Sequence, residues 1–396
     1  MKKHKLPKGF LVSGIHCGVK KKRKDLSLLY SKTPCKVEAL FTRNAVKAAP
    51  LLVAEEQLKK GGCFSAVLIN SGNANCMTGD RGLSDARKMA AVLARLLGTS
   101  KDAVLVSSTG IIGKFMPMRP IINGMFKLVA GLSADGLIDA AEGIMTTDRF
   151  HKIASRTFVA GGKKITMTGI AKGAGMVKPD MATMLCYILT DANVSKKAMK
   201  KALLAAAETS FNAITVDGDM STNDTAMLLA NGEADNRLIK ENGKDLELFQ
   251  KNLGEVSGEL ARMIVRDGEG ASKFIEVCVK GARTVPDAKK MAGAVADSLL
   301  VKCAVLGGDP NWGRIASSAG ASGVAFDPGK MEVILDGVTF YKSGRFKPVS
   351  ARKAASVFKG KDVQIKVDLH GGEAEACVFS CDISKKYITL NAHYTT

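Results

Sequence analysis

The sequence predicts a mixed α/β protein of the α+β kind, with two lobes meeting in the middle. Three observations carry this. Short apolar runs alternate with helix-period segments along most of the 396 residues. Hairpin signals are frequent, so the strands are not all joined by helical crossovers. With 46% hydrophobic and 24% charged residues, the composition is that of a chain with a core, which excludes disordered, collagen-like and coiled-coil proteins. At roughly 150 residues per domain the length suggests about two to three domains, enough to bury a core without a metal or disulfide staple.

Taken in order, 65–70 reads as a short buried strand that ends in the small polar loop Ser71-Gly72-Asn73-Ala74-Asn75. Residues 84–98 are helical by composition and period. Val104 to Val106 is a strand ending in Ser107-Ser108-Thr109-Gly110, and 119–131 and 134–145 read as helices. Alternating segments at 157–160 and 164–168 flank Gly161-Gly162, a hairpin signal. A loop over 171–180 precedes an apolar strand at 184–189 and an Ala-rich basic helix at 196–210. At 244–265, Leu246, Phe249, Leu253, Val256, Leu260 and Met263 recur at three- and four-residue steps and form one apolar helix face. Asp267-Gly268-Glu269-Gly270 stops that helix. Beyond it a strand is expected at 273–281, a helix at 287–301, and strands at 331–335, 362–369, 374–381 and 386–391.

Composition also bounds function. No apolar run approaches the roughly 18 residues of a membrane helix. The basic start of the chain lacks the apolar core of a secretory signal, so a cytoplasmic protein is expected. The net charge of +20 suits an anionic partner. Aromatic residues, at 5%, are thin for stacking on RNA bases, so nucleic acid is not the expected partner. The nine cysteines contain no CxxC pair and read as reduced thiols.

Familiar catalytic strings are missing: there is no GxxxxGK[ST], HExxH or GxSxG. The five histidines show no ligand spacing, and no metal is expected. Asp217 to Asp224 departs from the EF-hand pattern at Thr222 and Leu228 and reads as a hydrogen-bonded structural loop. The run Lys20 to Lys24 reads as a solvated turn rather than a phosphate grip. Ser108-Thr109-Gly110 and Lys172-Gly173-Ala174-Gly175 can each turn backbone N–H groups toward an anion. Thr183 becomes a nucleophile only if the chain cuts itself before it, since such a threonine uses its own α-amino group as base. The residues alone do not choose among these.

The longer strings do. Lys172-Gly173-Ala174-Gly175-Met176-Val177-Lys178-Pro179-Asp180-Met181-Ala182-Thr183-Met184 resembles the self-cleavage segment of the ornithine acetyltransferases, also called bifunctional glutamate N-acetyltransferases. Arg23-Lys24-Asp25-Leu26, Asn70 to Asn75, Ser107 to Gly110, Met145-Thr146-Thr147-Asp148, Ile214 to Asp219, Ser221 to Thr225, Arg266 to Ala271 and Asp309 to Arg314 agree in order. The resemblance covers essentially the whole chain.

The resemblance implies an N-terminal-nucleophile-like architecture of layered helices and sheets with a smaller C-terminal lobe. It implies cleavage between Ala182 and Thr183 into an α chain (1–182) and a β chain (183–396), assembled as an α2β2 heterotetramer. The implied reaction moves acetyl from N-acetylornithine to glutamate through acetyl-Thr183, in arginine biosynthesis, with no cofactor. Whether acetyl-CoA is also a donor stays open. Thr109 and Gly110 match the oxyanion hole, and Thr146, Lys172, Thr183, Glu269, Asn391 and Thr396 match substrate-binding positions. His393 and Met220 depart from the family pattern, where an acidic residue and a threonine are expected. A self-cleaving amidase or aminopeptidase is the alternative activity.

Overall fold

Apolar runs that stay inside on both faces build the centre of the molecule. In the computed structural model, which describes residues 4–178 and 184–393, every residue of the strand β7 (Leu185–Thr190) is buried. A strand covered on both sides reads as a continuous apolar run, not as alternation. Cys186 and Ile188 enter one core, and Tyr187 and Leu189 enter another on the opposite face.

That strand belongs to an eight-stranded sheet. Its other strands are β1 (Phe10–Ile15), β2 (Leu26–Phe41), β3 (Phe64–Asn73), β4 (Val104–Ile111), β5 (Lys152–Ala160), β6 (Lys163–Lys172) and β8 (Thr225–Ala230). Neighbours run β4, β3, β2, β8, β7, β6, β5, and β1 pairs with β2. The pairs β3/β4 and β7/β8 are parallel. The long strand β2 pairs with β3 over its first part and with β8 from Lys36 to Phe41, which joins two half-sheets. Helices α2 (Gly79–Leu97) and α3 (Met118–Ala130) cover β2 to β4. Helices α5 (Lys196–Thr209) and α6 (Lys244–Arg266) cover β6 to β8. The remaining core holds α1 (Ala49–Lys60) and α4 (Leu137–Gly143).

A six-stranded sheet forms the smaller C-terminal lobe, with β9 (Phe274–Ala282), β10 (Glu332–Leu335), β11 (Val338–Lys342), β12 (Arg345–Phe346), β13 (Asp362–Asp368) and β14 (Ala374–Cys381) in the order β12, β11, β10, β13, β9, β14. Around it lie α7 (Val285–Asp297), α8 (Leu299–Gly307), α9 (Trp312–Gly320) and the short α10 (Ala351–Ala354); α11 (Lys385–His393) ends the described chain.

The mixed α/β class is as predicted, and four local expectations are corrected. Ser107 to Gly110 is not a loop: β4 continues through it because its parallel partner β3 also runs on to Asn73. The helix expected over 287–301 breaks at Ser298, whose backbone is extended and whose hydroxyl accepts from Val301 N. Residues 386–391 are helical, since a short run of Tyr, Ile, Thr and Leu fits either period. Cys278 and Cys377, expected as thiols, form a disulfide. They face each other in register on β9 and β14, 99 residues apart in sequence, beyond the reach of any local cysteine spacing.

Candidate active site

A parallel strand pair supplies one wall of a cleft. Thr109 and Gly110, near the end of β4, line a cavity of about 110 Å³. Gly110 sits at φ 130°, and a Cβ there would lie 2.4 Å from the carbonyl carbon of Gly72 on β3. Only glycine lets the two backbones approach this closely. The Ser108 hydroxyl donates to Asn70 Oδ1 at 2.6 Å, and Asn223 Nδ2 donates to the carbonyl of Ser108 at 2.8 Å. Ser108, the residue before Thr109, is therefore held through both its hydroxyl and its carbonyl.

Lys172, the last residue of β6, brings positive charge to this wall. It is buried, and burial pushes its ammonium below the ordinary lysine range, while Asp148 and Asp224 pull it back up. Asp148 is fully buried and accepts from Lys152 Nζ at 2.6 Å, from the Gly173 backbone at 2.8 Å and from the Thr146 backbone at 2.9 Å. Burial alone would raise its pKa, but the Lys152 and Lys172 charges and these donors outweigh it and hold the carboxyl at about 2. Lys152 Nζ also donates to Asp267 at 2.6 Å, which pairs in turn with Arg149. The opposite case is Asp224, which burial pushes well above the usual carboxylate range despite Lys172.

Part of the Lys20 to Lys24 run turns inward, contrary to the expected solvated turn. Lys20 Nζ donates to the carbonyl of Met145 at 2.9 Å, and Arg23 donates to that of Asp148 at 3.0 Å. Burial pushes Lys20 down to about 8. Lys21, Lys22 and, apart from the contact with Asp148, Arg23 stay exposed.

Negative charge comes from the other side. Glu269 follows α6, its backbone N–H donating to Ala174 at 2.8 Å, and its carboxylate accepts from Asn391 Nδ2 at 2.8 Å. A Cβ on Gly175 would lie 2.6–2.7 Å from that carboxylate, so the glycine makes room for it. Helix α11 aims Tyr387 and Asn391, one turn apart, into the cleft.

Of the residues singled out from sequence, Thr109, Gly110, Thr146, Lys172, Glu269 and Asn391 line this one cleft. Ala182, Thr183 and Thr396 lie outside the described residues. Met184, next to Thr183, is buried, and its carbonyl accepts from Thr225 N at 2.9 Å. Sequence reasoning assigned no role to Asp148, Lys152, Asp217 or Tyr387. Asp148 closes the string Met145-Thr146-Thr147-Asp148, and the loop pattern gives Asp217 only a structural reading. The others left no signal, because burial and pairing across 115 residues, as between Lys152 and Asp267, are not visible in a linear pattern. Among the described residues, one group of three side chains has metal-ligand geometry: Glu276, Cys278 and Cys377. Its two sulfurs are joined to each other, which leaves no thiolates for an ion.

The ArgJ family matches residues 11–396. The arginine biosynthesis bifunctional protein ArgJ of Caldanaerobacter subterraneus subsp. tengcongensis is 46% identical over 398 residues, covering 100% of this chain and 98% of that protein. Its counterpart in Geobacter sulfurreducens is 48% identical over 391 residues, covering 98% and 99%. The crystal structure of the protein of the same name from Bacillus halodurans superposes with a TM-score of 0.51 at 36% identity. It covers 52% of this chain and 98% of the solved chain.

Proposed function

This chain belongs to the ArgJ family and is an arginine biosynthesis acetyltransferase, and on that premise we propose how its cleft carries the reaction. The observation that carries the reading is one cleft lined by charges of both signs, Lys172 and Glu269, together with the Thr109-Gly110 strand end. N-acetylornithine has a carboxylate for Lys172 and Thr146 and a cationic amine for Glu269 and Asn391. Thr396 is proposed to join them.

The chain first cuts itself. Thr183 Oγ adds to the carbonyl carbon of Ala182, the C–N bond breaks, and the amine takes the proton. Water hydrolyses the resulting ester, leaving a carboxylate on Ala182 and a free α-amine on Thr183. That amine has a reference pKa of about 7.7–8.0 and takes the proton of its own hydroxyl. The hydroxyl attacks the acetyl group, and the tetrahedral oxyanion is met by the Thr109 hydroxyl and the Gly110 N–H. Ornithine leaves with the proton. The amine of glutamate then attacks acetyl-Thr183 and restores the hydroxyl. Acetyl passes between two amines without change of oxidation state, so the reading assigns no cofactor. Acetyl-CoA is a candidate second donor.

We further propose an α2β2 assembly of chains 1–182 and 183–396 in the cytoplasm. The half-length solved relative supports two chains: almost all of it matches only about half of this one. Among the described residues no helix is long and apolar enough to cross a membrane.

Intact mass under denaturing conditions tests the cut, with two species expected, the second starting at Thr183. Mixing the cut protein with N-acetylornithine and glutamate is expected to give ornithine and N-acetylglutamate. A single uncut species, or acetate in place of N-acetylglutamate, would overturn the reading.

A further inference from the structure

The two residues that lead into the self-cleaving segment are gripped with unusual thoroughness. Met176 N donates to Asp217 Oδ2 at 2.6 Å and Val177 N to Asp217 Oδ1 at 2.8 Å. The carbonyl of Val177 accepts from Val216 N at 2.9 Å. The side chain of Val177 is fully buried, and Met176 is held at φ 57°, a left-handed value that a methionine rarely adopts. One carboxylate and one neighbouring amide thus fix the backbone of both residues.

The grip is itself anchored in the C-terminal lobe. Tyr387 of α11 donates its hydroxyl to Asp217 Oδ2 at 3.2 Å. Thr215 N donates to the carbonyl of Phe379 on β14 at 2.9 Å, and the Thr215 hydroxyl donates to Asp297 of α7 at 2.5 Å. Beneath them Lys302 of α8 is buried and donates to the carbonyls of Val216 and Cys381 and to the Ser380 hydroxyl, at 2.9, 3.0 and 2.5 Å. A buried cation with three neutral acceptors is costly to disturb. The loop that holds Val177 is therefore rigidly mounted.

We propose that Asp217 is a positioning residue for self-cleavage: it clamps Met176 and Val177 and so fixes the upstream end of the segment that must bring Thr183 Oγ to the Ala182 carbonyl. This rests on the self-cleavage reading above. Six residues separate Val177 from Met184, which is pinned by Thr225 on β8. The clamp on Met176 and Val177 and the Thr225 bond to Met184 thus bracket the cleavage point in sequence. Attack geometry is steep, and a misplacement of about 1 Å can slow a reaction about 100-fold. Asp217→Asn keeps the shape but turns one acceptor into a donor facing a backbone N–H.

The test follows cleavage of freshly purified full-length chain by intact mass over time, beside thermal melting. Wild type is expected to cleave. Asp217→Asn is expected to cleave at least ~10-fold more slowly, the effect of losing one charge-assisted bond, with a melting midpoint close to wild type. Hydroxylamine, which intercepts an ester, is expected not to restore the rate, because the clamp acts before the ester forms. Cleavage at the wild-type rate, or full restoration by hydroxylamine, overturns the proposal. A slowing matched by a large drop in melting midpoint also overturns it, since that is a structural effect. If Asp217→Asn does not fold, Tyr387→Phe decides: it deletes one half-buried hydroxyl, and about threefold slower cleavage is expected against an unchanged rate. Wild type that never cleaves overturns self-cleavage itself, and with it the clamp.

Discussion

Asp148 accepts from the backbone of Thr146 and Gly173 and from Lys152, so one carboxylate ties three parts of the cleft together. Its folded pKa of about 2 lies below the unfolded value of about 3.9. Its contribution to stability is therefore complete above pH ~4 and is lost as pH falls toward 2. Acid melting curves are expected to drop steeply in that window, and Asp148→Asn is expected to flatten the drop while lowering stability at neutral pH. For Lys172→Met, KM for both N-acetylornithine and glutamate is expected to rise at least ~10-fold, the scale of one buried charge-assisted hydrogen bond; unchanged KM would remove the anchor. Gly110→Ala meets Gly72 at 2.4 Å in a backbone conformation that alanine resists. A loss of roughly 10²–10³ in kcat is expected if the strand end shifts away from the oxyanion. Gly110 and Lys172 are legible in the sequence as parts of short glycine-containing segments that can face an anion, Asp148 only as a member of a longer string. Nothing in the string around Asp148 announces that its carboxylate is buried between two lysines, because that depends on where β5 and β6 bring Lys152 and Lys172.

Among the elements, those with strong local period were legible. Leu246, Phe249, Leu253, Val256 and Leu260 are all buried along α6, and the Gly161-Gly162 turn joins β5 to β6 as the hairpin signal required. Elements defined by a distant partner were not. The strand β2 carries exposed Lys32 to Pro34 in its middle and gains its length from pairing with β3 on one stretch and β8 on the other. The ends of β3 and β4 look like loops by composition, and each is a strand because the other is there. Helix α11 reads as a strand in the sequence; Tyr387 and Asn391, four residues apart, share a face in either conformation, so the shared face does not separate the two readings. The junction at Ser298 offers an element-scale test. Its hydroxyl caps α8, and Ser298→Ala is expected to cost about 1 kcal/mol, read as a modest fall in melting midpoint with catalysis unchanged.

At the scale of the molecule, the C-terminal lobe reaches the cleft from one end of the antiparallel β9/β14 pair, where Phe274 and Cys381 are partners. Glu269 lies five residues before β9, and Tyr387 six residues after β14. The Cys278–Cys377 bridge ties these strands together and closes a loop spanning 99 residues. In a chain-entropy account such a loop is worth up to about 4–5 kcal/mol. Reduction, or Cys377→Ser, is expected to lower the melting midpoint by several degrees; an unchanged midpoint would mean the bridge does not form in solution.

The order of strands in the large sheet carries a consequence for how such a protein can be made. β7 and β8, which follow Thr183, are the central strands; β1 to β4 lie on one side of them and β5 and β6 on the other. A polypeptide ending at residue 182 would own two fragments of sheet with nothing between them, each with a naked edge inviting aggregation. Its complement would hold two bare middle strands. The halves are not parts to be manufactured apart and fitted together. On this strand order the whole chain folds first, and a cut before Thr183 would fall between strands that already pair with one another.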